Sequence, residues 1–167
     1  MVRVSAPTIL SLVLLVAAPM AQTRSDFSGK WIDARTVNGK QVIEETLVVT
    51  QDARGLSSIS YSRNGREGER FAVRFDGTPS TQARTMGGEA TSTAAWEANG
   101  TLMVTTTLKR PGQPESVSQR RWSIDAEKRL VIESTRKVQG QAPMTSKTVF
   151  RRAQESGLTD RIDQGSR

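Results

Sequence analysis

The side chains available for chemistry in this chain are carboxylates, arginines, indoles and hydroxyls, because it contains no cysteine and no histidine. The missing cysteines remove thiolate nucleophiles, metal thiolates and disulfides. The missing histidines remove Ser-His-Asp triads and imidazole metal sites. Carboxylate, lysine, tyrosine or Ser-Lys chemistry is what remains. Asp33, Glu89, Glu97 and Glu133 would have to meet across a folded interior to act together, and nothing in their spacing requires it. Glu44 and Glu45 are sequence neighbours, so on a strand they face opposite ways and can neither share a proton nor flank one bond. The pair reads as a charged strand edge. No Ser-x-x-Lys element sits beside a partnering serine or lysine. The glycine-bearing stretches Asn64–Arg70 and Met86–Glu89 lack the Walker pattern and read as hairpin turns, and no calcium-loop pattern occurs. A non-enzymatic protein with no cofactor and no metal is the expectation.

The aromatic and basic residues offer binding rather than catalysis. Trp96, Trp122 and Tyr61 are candidates for a ligand-contacting or rim position. Arg120 joins them, because strand alternation puts it on the same face as Trp122. A guanidinium there can hold an anionic ligand or simply sit beside a rim aromatic, while the large area of an indole favours a place in the core.

Turn signals recur at short intervals and cut the chain into strands. They fall at Asn38-Gly39, Asp52–Gly55, Asn64-Gly65, Asp76-Gly77, Gly87-Gly88, Asn99-Gly100, Pro111-Gly112, Asp125-Ala126 and Gly140. Strands are expected at about 30–36, 43–51, 56–63, 69–75, 78–85, 89–97, 101–109, 116–124, 129–137 and 145–152. Period two supports them: Leu102, Val104, Thr106 and Leu108 share one face, and Phe71, Val73 and Phe75 alternate with Arg70 and Arg74. Trp96 and Trp122 each stand ahead of a tight turn and a second strand, one hairpin written twice. The fold class expected is all-β, a single antiparallel barrel of about eight to ten strands over residues 29–153. Only 35% of residues are hydrophobic, so the core is thin or the interior partly polar.

The ends read differently. Arg3, the apolar run Ile9–Ala18 and the small-residue exit Ala17–Ala21 read as a cleaved signal peptide over 1–21, too short to span a bilayer. A polar lead follows over 22–28, and a polar tail over 154–167 closes the chain. The expectation is an exported protein, periplasmic or secreted, with no integral membrane span. The net charge of +7 favours anionic partners. The basic residues are dispersed as short doublets, which together with export argues against nucleic acid as a partner.

Asp26-Phe27-Ser28-Gly29-Lys30-Trp31 opens the first strand, and with Trp96, Trp122 and the closing run Thr148-Val149-Phe150-Arg151-Arg152 it resembles a group of uncharacterised exported bacterial lipocalin-like proteins. Their opening reads Asp-Phe-Ser/Thr-Gly-x-Trp, and the resemblance covers nearly the whole mature chain. It implies a barrel whose floor is closed by Trp31, with Gly29 preceding it and Arg151 or Arg152 lying over the indole as a structural contact. The chain departs from lipocalins in lacking their disulfides and the mid-chain Thr-Asp-Tyr element.

Two functional readings follow. The first is a monomer that binds a small apolar or amphipathic ligand in the barrel mouth. The second is an envelope interaction or inhibitor module, contacting a protein or an anionic polymer through the loops Arg110–Glu115 and Gln139–Met144 and through basic strand faces.

Overall fold

A computed structural model describes residues 24–37, 40–84 and 87–153. The stretch read from sequence as a signal peptide and the polar tail lie outside the described residues. Ten strands are present among them: β1 Gly29–Val37, β2 Lys40–Gln51, β3 Gly55–Ser62, β4 Glu67–Arg74, β5 Ser80–Ala83, β6 Glu89–Trp96, β7 Leu102–Lys109, β8 Ser116–Ile124, β9 Leu130–Val138 and β10 Met144–Arg152. The ladder starts at β5 only after Pro79, which has no N–H to give, so this strand is shorter than the run 78–85.

All pairings are antiparallel, and the strand order is β4-β3-β2-β1-β10-β9-β8-β7-β6-β5. The first and last strands therefore pair, Trp31 opposite Arg152, and the sheet curls until β4 and β5 face each other. The result is an all-β, nearly closed barrel of lipocalin-like build. Where β4 and β5 meet, their described residues form no ladder, and side chains bridge instead. The Gln82 amide, oriented with nitrogen toward Arg70 O and oxygen toward the Ala72 N–H, makes two contacts of 3.2 Å. Arg84 reaches Glu69 across the same seam at 2.9 Å.

The two tryptophan hairpins close identically. Glu97 N–H donates to Thr101 O at 2.8 Å and Gly100 N–H to Glu97 O at 3.0 Å; Asp125 N–H donates to Arg129 O at 3.0 Å and Lys128 N–H to Asp125 O at 3.1 Å. Both turns need one left-handed residue. Gly100 supplies it at φ 77°, whereas in the second hairpin Lys128 is forced to φ 60°.

The core gathers at one end of the barrel. Phe27, Trp31, Leu47, Val49, Leu56, Phe71, Val73, Leu102, Val104, Trp122, Leu130 and Phe150 are buried there. Phe27 belongs to the segment read from sequence as a polar lead, yet it is fully buried and stacks on Trp96 at 5.9 Å. Gln51 pins that segment by accepting from Phe27 N–H at 3.1 Å and donating to Ser25 O at 2.9 Å.

Candidate functional site

Each strand of the barrel shows alternate residues to the interior, so its contents can be followed two residues at a time. In five strands the inward series changes character from floor to mouth: Leu47 then Glu45 on β2, Phe71 then Glu69 on β4, Trp122 then Arg120 on β8, Ile132 then Ser134 on β9, and Phe150, Thr148, Ser146 on β10. β3 adds Ser58 and Ser60. Together these side chains enclose a cavity of about 230 Å³ with an apolar floor and a hydroxyl-rich, charged wall. That volume lies below the ~300–1,000 Å³ of drug-sized sites, so it suits a small molecule.

The wall is organised by Glu69. Its carboxylate accepts from Arg84 at 2.9 Å and from Arg120 at 3.0 Å, and its backbone N–H donates to Ser60 Oγ at 3.0 Å. Burial alone would raise this carboxyl; the Arg120 and Arg84 guanidinia more than reverse the effect and hold it below the ordinary glutamate value. The Arg120 guanidinium also lies 6.0 Å from the Phe71 ring centre. Glu45, on the neighbouring wall, is different. Burial pushes its carboxyl up, and the negative charges of Asp33 and Glu69 act in the same direction, against the Ser60 hydroxyl and Arg120. Asp33 stands opposite Glu45 in the β1–β2 register, beside a bulge.

The residues singled out from sequence separate into three places. Arg120 and Trp122 line the cavity. Trp96 lies at the floor, stacked on Phe27 and edge-on to Phe75 at 5.1 Å, away from the cavity wall. Tyr61 follows inward-facing Ser60, so it stands on the outer face of β3, half-buried and opposite Thr46 and Glu67. The structural quartet resolves cleanly. Arg152 lies 4.6 Å from the Trp31 ring centre and donates to Ser28 O at 3.1 Å, while Arg151 is exposed on the outer face. Gly29 adopts φ 127°, and a Cβ there would come within 2.9 Å of the Arg152 guanidinium. The Gly-x-Trp spacing thus leaves room for the cation that covers the indole.

The acids weighed as a catalytic set do not converge. Glu97 pairs with Arg121 and Glu133 with Lys147, and Glu89 stands exposed opposite Lys109 at a strand end. Glu44 is the residue skipped at the β1–β2 bulge, between Glu45 opposite Asp33 and Ile43 opposite Ala34, and β2 lies between β1 and β3, so the pair is not on a sheet edge. Its inward member is the wall residue just described. Sequence reasoning reads Glu45 only as part of a charged strand edge and passes over Glu69, although both extend inward series by the same two-residue step that places Leu47 and Phe71. Among the described residues no group of three or more acids is arranged to hold a metal ion.

The three indole nitrogens are not equally satisfied. Trp31 Nε1 donates to Phe27 O at 2.8 Å, whereas the buried Nε1 atoms of Trp96 and Trp122 have no acceptor among the described residues. Trp122 packs instead against Phe71 at 6.2 Å and against the edge of Phe27 at 6.0 Å.

No protein-family model matches this chain, and a comparison with curated proteins finds no match. The barrel defines its fold class.

Proposed function

We propose that this chain is an exported, non-enzymatic binding protein that takes a small amphipathic molecule into the mouth of its barrel. The observation that carries this is the grading of the inward series, apolar at the floor and polar at the wall in five strands. A wholly apolar ligand would strand Glu45, Glu69, Arg120 and five hydroxyls against hydrocarbon, a desolvation penalty larger than its packing on the floor would offset. A ligand with one apolar and one polar end meets both surfaces. The carboxylates support binding over turnover, because Glu69 is committed to two arginines. Export is supported by the apolar run Ile9–Ala18 and its small-residue exit, and the Asp26–Trp31 opening supports kinship with exported lipocalin-like proteins.

Native mass spectrometry of the mature protein, purified gently from its own host, tests this. A retained small molecule of amphipathic composition is expected. A bare chain whose tryptophan fluorescence also ignores a broad panel of lipids and aromatic compounds would overturn the proposal.

The second reading, a docking module for an envelope protein, keeps one specific support: Met144, the first residue of β10, is a large apolar side chain left 53% exposed. Its basic face is weaker than the sequence suggests, since Arg120 points inward to Glu69 and Arg121 is paired with Glu97. A partner captured from envelope extract by the wild type and lost with Met144→Glu would favour this reading.

A further inference from the structure

We infer that the polar end of the ligand is a protonated amine, seated against Glu45. This deepens the proposal above and rests on the cavity being a ligand site. The charges on the cavity wall are unequally paired. Arg120 is in contact with Glu69, and Glu69 is shared with Arg84, so these three side chains satisfy one another. Glu45 also lines the cavity, yet among the described residues it makes no salt bridge. The charged groups around it are Asp33 from β1, Glu69 from β4 and the already committed Arg120 from β8. From β3, β9 and β10 the cavity receives hydroxyls as its only polar side chains, those of Ser58, Ser60, Ser134, Ser146 and Thr148.

A carboxylate or phosphate head could reach Arg120 only by entering a wall that already holds two glutamates. A hydroxyl head would be tolerated and would leave Glu45 as it is. An ammonium supplies the missing counter-charge, and its three N–H donors match a carboxylate plus neighbouring hydroxyl acceptors. The floor is equally suited: Leu47, Phe71, Trp122, Ile132 and Phe150 line it with apolar side chains against which an apolar body can pack. The volume of about 230 Å³ limits that body to a single ring or a short chain.

The test is calorimetric titration of the full mature chain near neutral pH with three probes sharing one body: 2-phenylethylamine, 2-phenylethanol and 3-phenylpropanoate. The amine is expected to bind at least about tenfold more tightly than the alcohol, with the carboxylate weakest, since contact between opposite charges at a partly buried site supports a discrimination of that order. Glu45→Gln should remove that advantage, bringing the affinities of the amine and the alcohol in the variant together. A second arm needs no variant: amine affinity of the wild type should fall as pH drops through the titration of Glu45, while alcohol affinity stays flat. If the alcohol or the carboxylate binds as tightly as the amine, the amine inference fails and the cavity reading stands. If the amine prefers the protein but loses nothing in Glu45→Gln or at low pH, the seat at Glu45 is overturned. If none of the three binds at millimolar concentration, both the inference and the reading beneath it fail.

Discussion

Glu45 and Glu69 are the same residue type on the same wall, pushed in opposite directions by what touches them. Glu69 sits between two guanidinia and stays ionised; Glu45 meets mostly burial and other carboxylates and holds its proton more strongly than a free glutamate. The consequences for stability differ in sign. For Glu45 the folded chain binds the proton more tightly than the unfolded one, so its contribution is greatest below the unfolded value, about 4.3, and is lost as pH rises through the raised folded value. Glu45→Gln should therefore shift the urea midpoint upward at neutral pH, with the gap closing below about pH 4. An unchanged or lower midpoint at neutral pH would mean that Glu45 already has its counter-charge. A gain in stability from removing a wall acid is what a site held for binding predicts. In the sequence Glu45 is noticed only as half of an adjacent pair and reads as a charged strand edge, and Glu69 is not singled out, because their relevant partners are cross-strand. A contact of Trp31 with an arginine of the closing strand is expected from the resemblance, with Arg151 and Arg152 both open; the structure places Arg152 there.

The two tryptophan hairpins show what an element inherits from its turn. Both were readable from Asn99-Gly100 and the Asp125-led turn, and both share one hydrogen-bond pattern. They differ at the left-handed position, where Gly100 is relaxed and Lys128 carries a Cβ into a crowded conformation. Lys128→Gly should raise stability by about 0.5–1 kcal/mol, the steric relief exceeding the added chain entropy. Thermal melts of the variant check it, and a lower midpoint would show that the turn is not under strain. The seam between β4 and β5 was not legible, because it has no ladder and depends on side chains. Gln82 stands in for backbone pairing at Arg70 and Ala72. Gln82→Ala should speed hydrogen exchange at the Ala72 amide selectively while β7 and β8 keep their protection. Uniformly faster exchange would mean the seam is part of the global unit.

At the scale of the whole barrel, the ten strands were countable from turn spacing, but their circular order was not. Sequence neighbours pair everywhere except at the seam, and the one long closure brings β1 to β10. Ala153 N–H donates to Lys30 O at 2.8 Å, so the last described residue lies against the first strand, near the lead that plugs the floor. Joining Ala153 to Arg24 through a short Gly/Ser linker and opening the chain between Gly77 and Thr78 would yield the order β5 to β10 followed by β1 to β4. Every paired strand would then neighbour its partner in sequence, and the new ends would cut no ladder. Loop-closure entropy for the β1–β10 pairing, which now spans nearly the whole barrel, would shrink to that of the linker. The permutant should refold about tenfold faster than the parent, with equilibrium stability within about 1 kcal/mol. Stopped-flow tryptophan fluorescence reads the rate, since Trp31 and Trp122 are buried on the two sides of that closure. Refolding at the parental rate would place β1–β10 pairing after the rate-limiting step, and a permutant that failed to fold would show that continuity from β4 to β5, despite the absent ladder, is what sets the curl of the sheet.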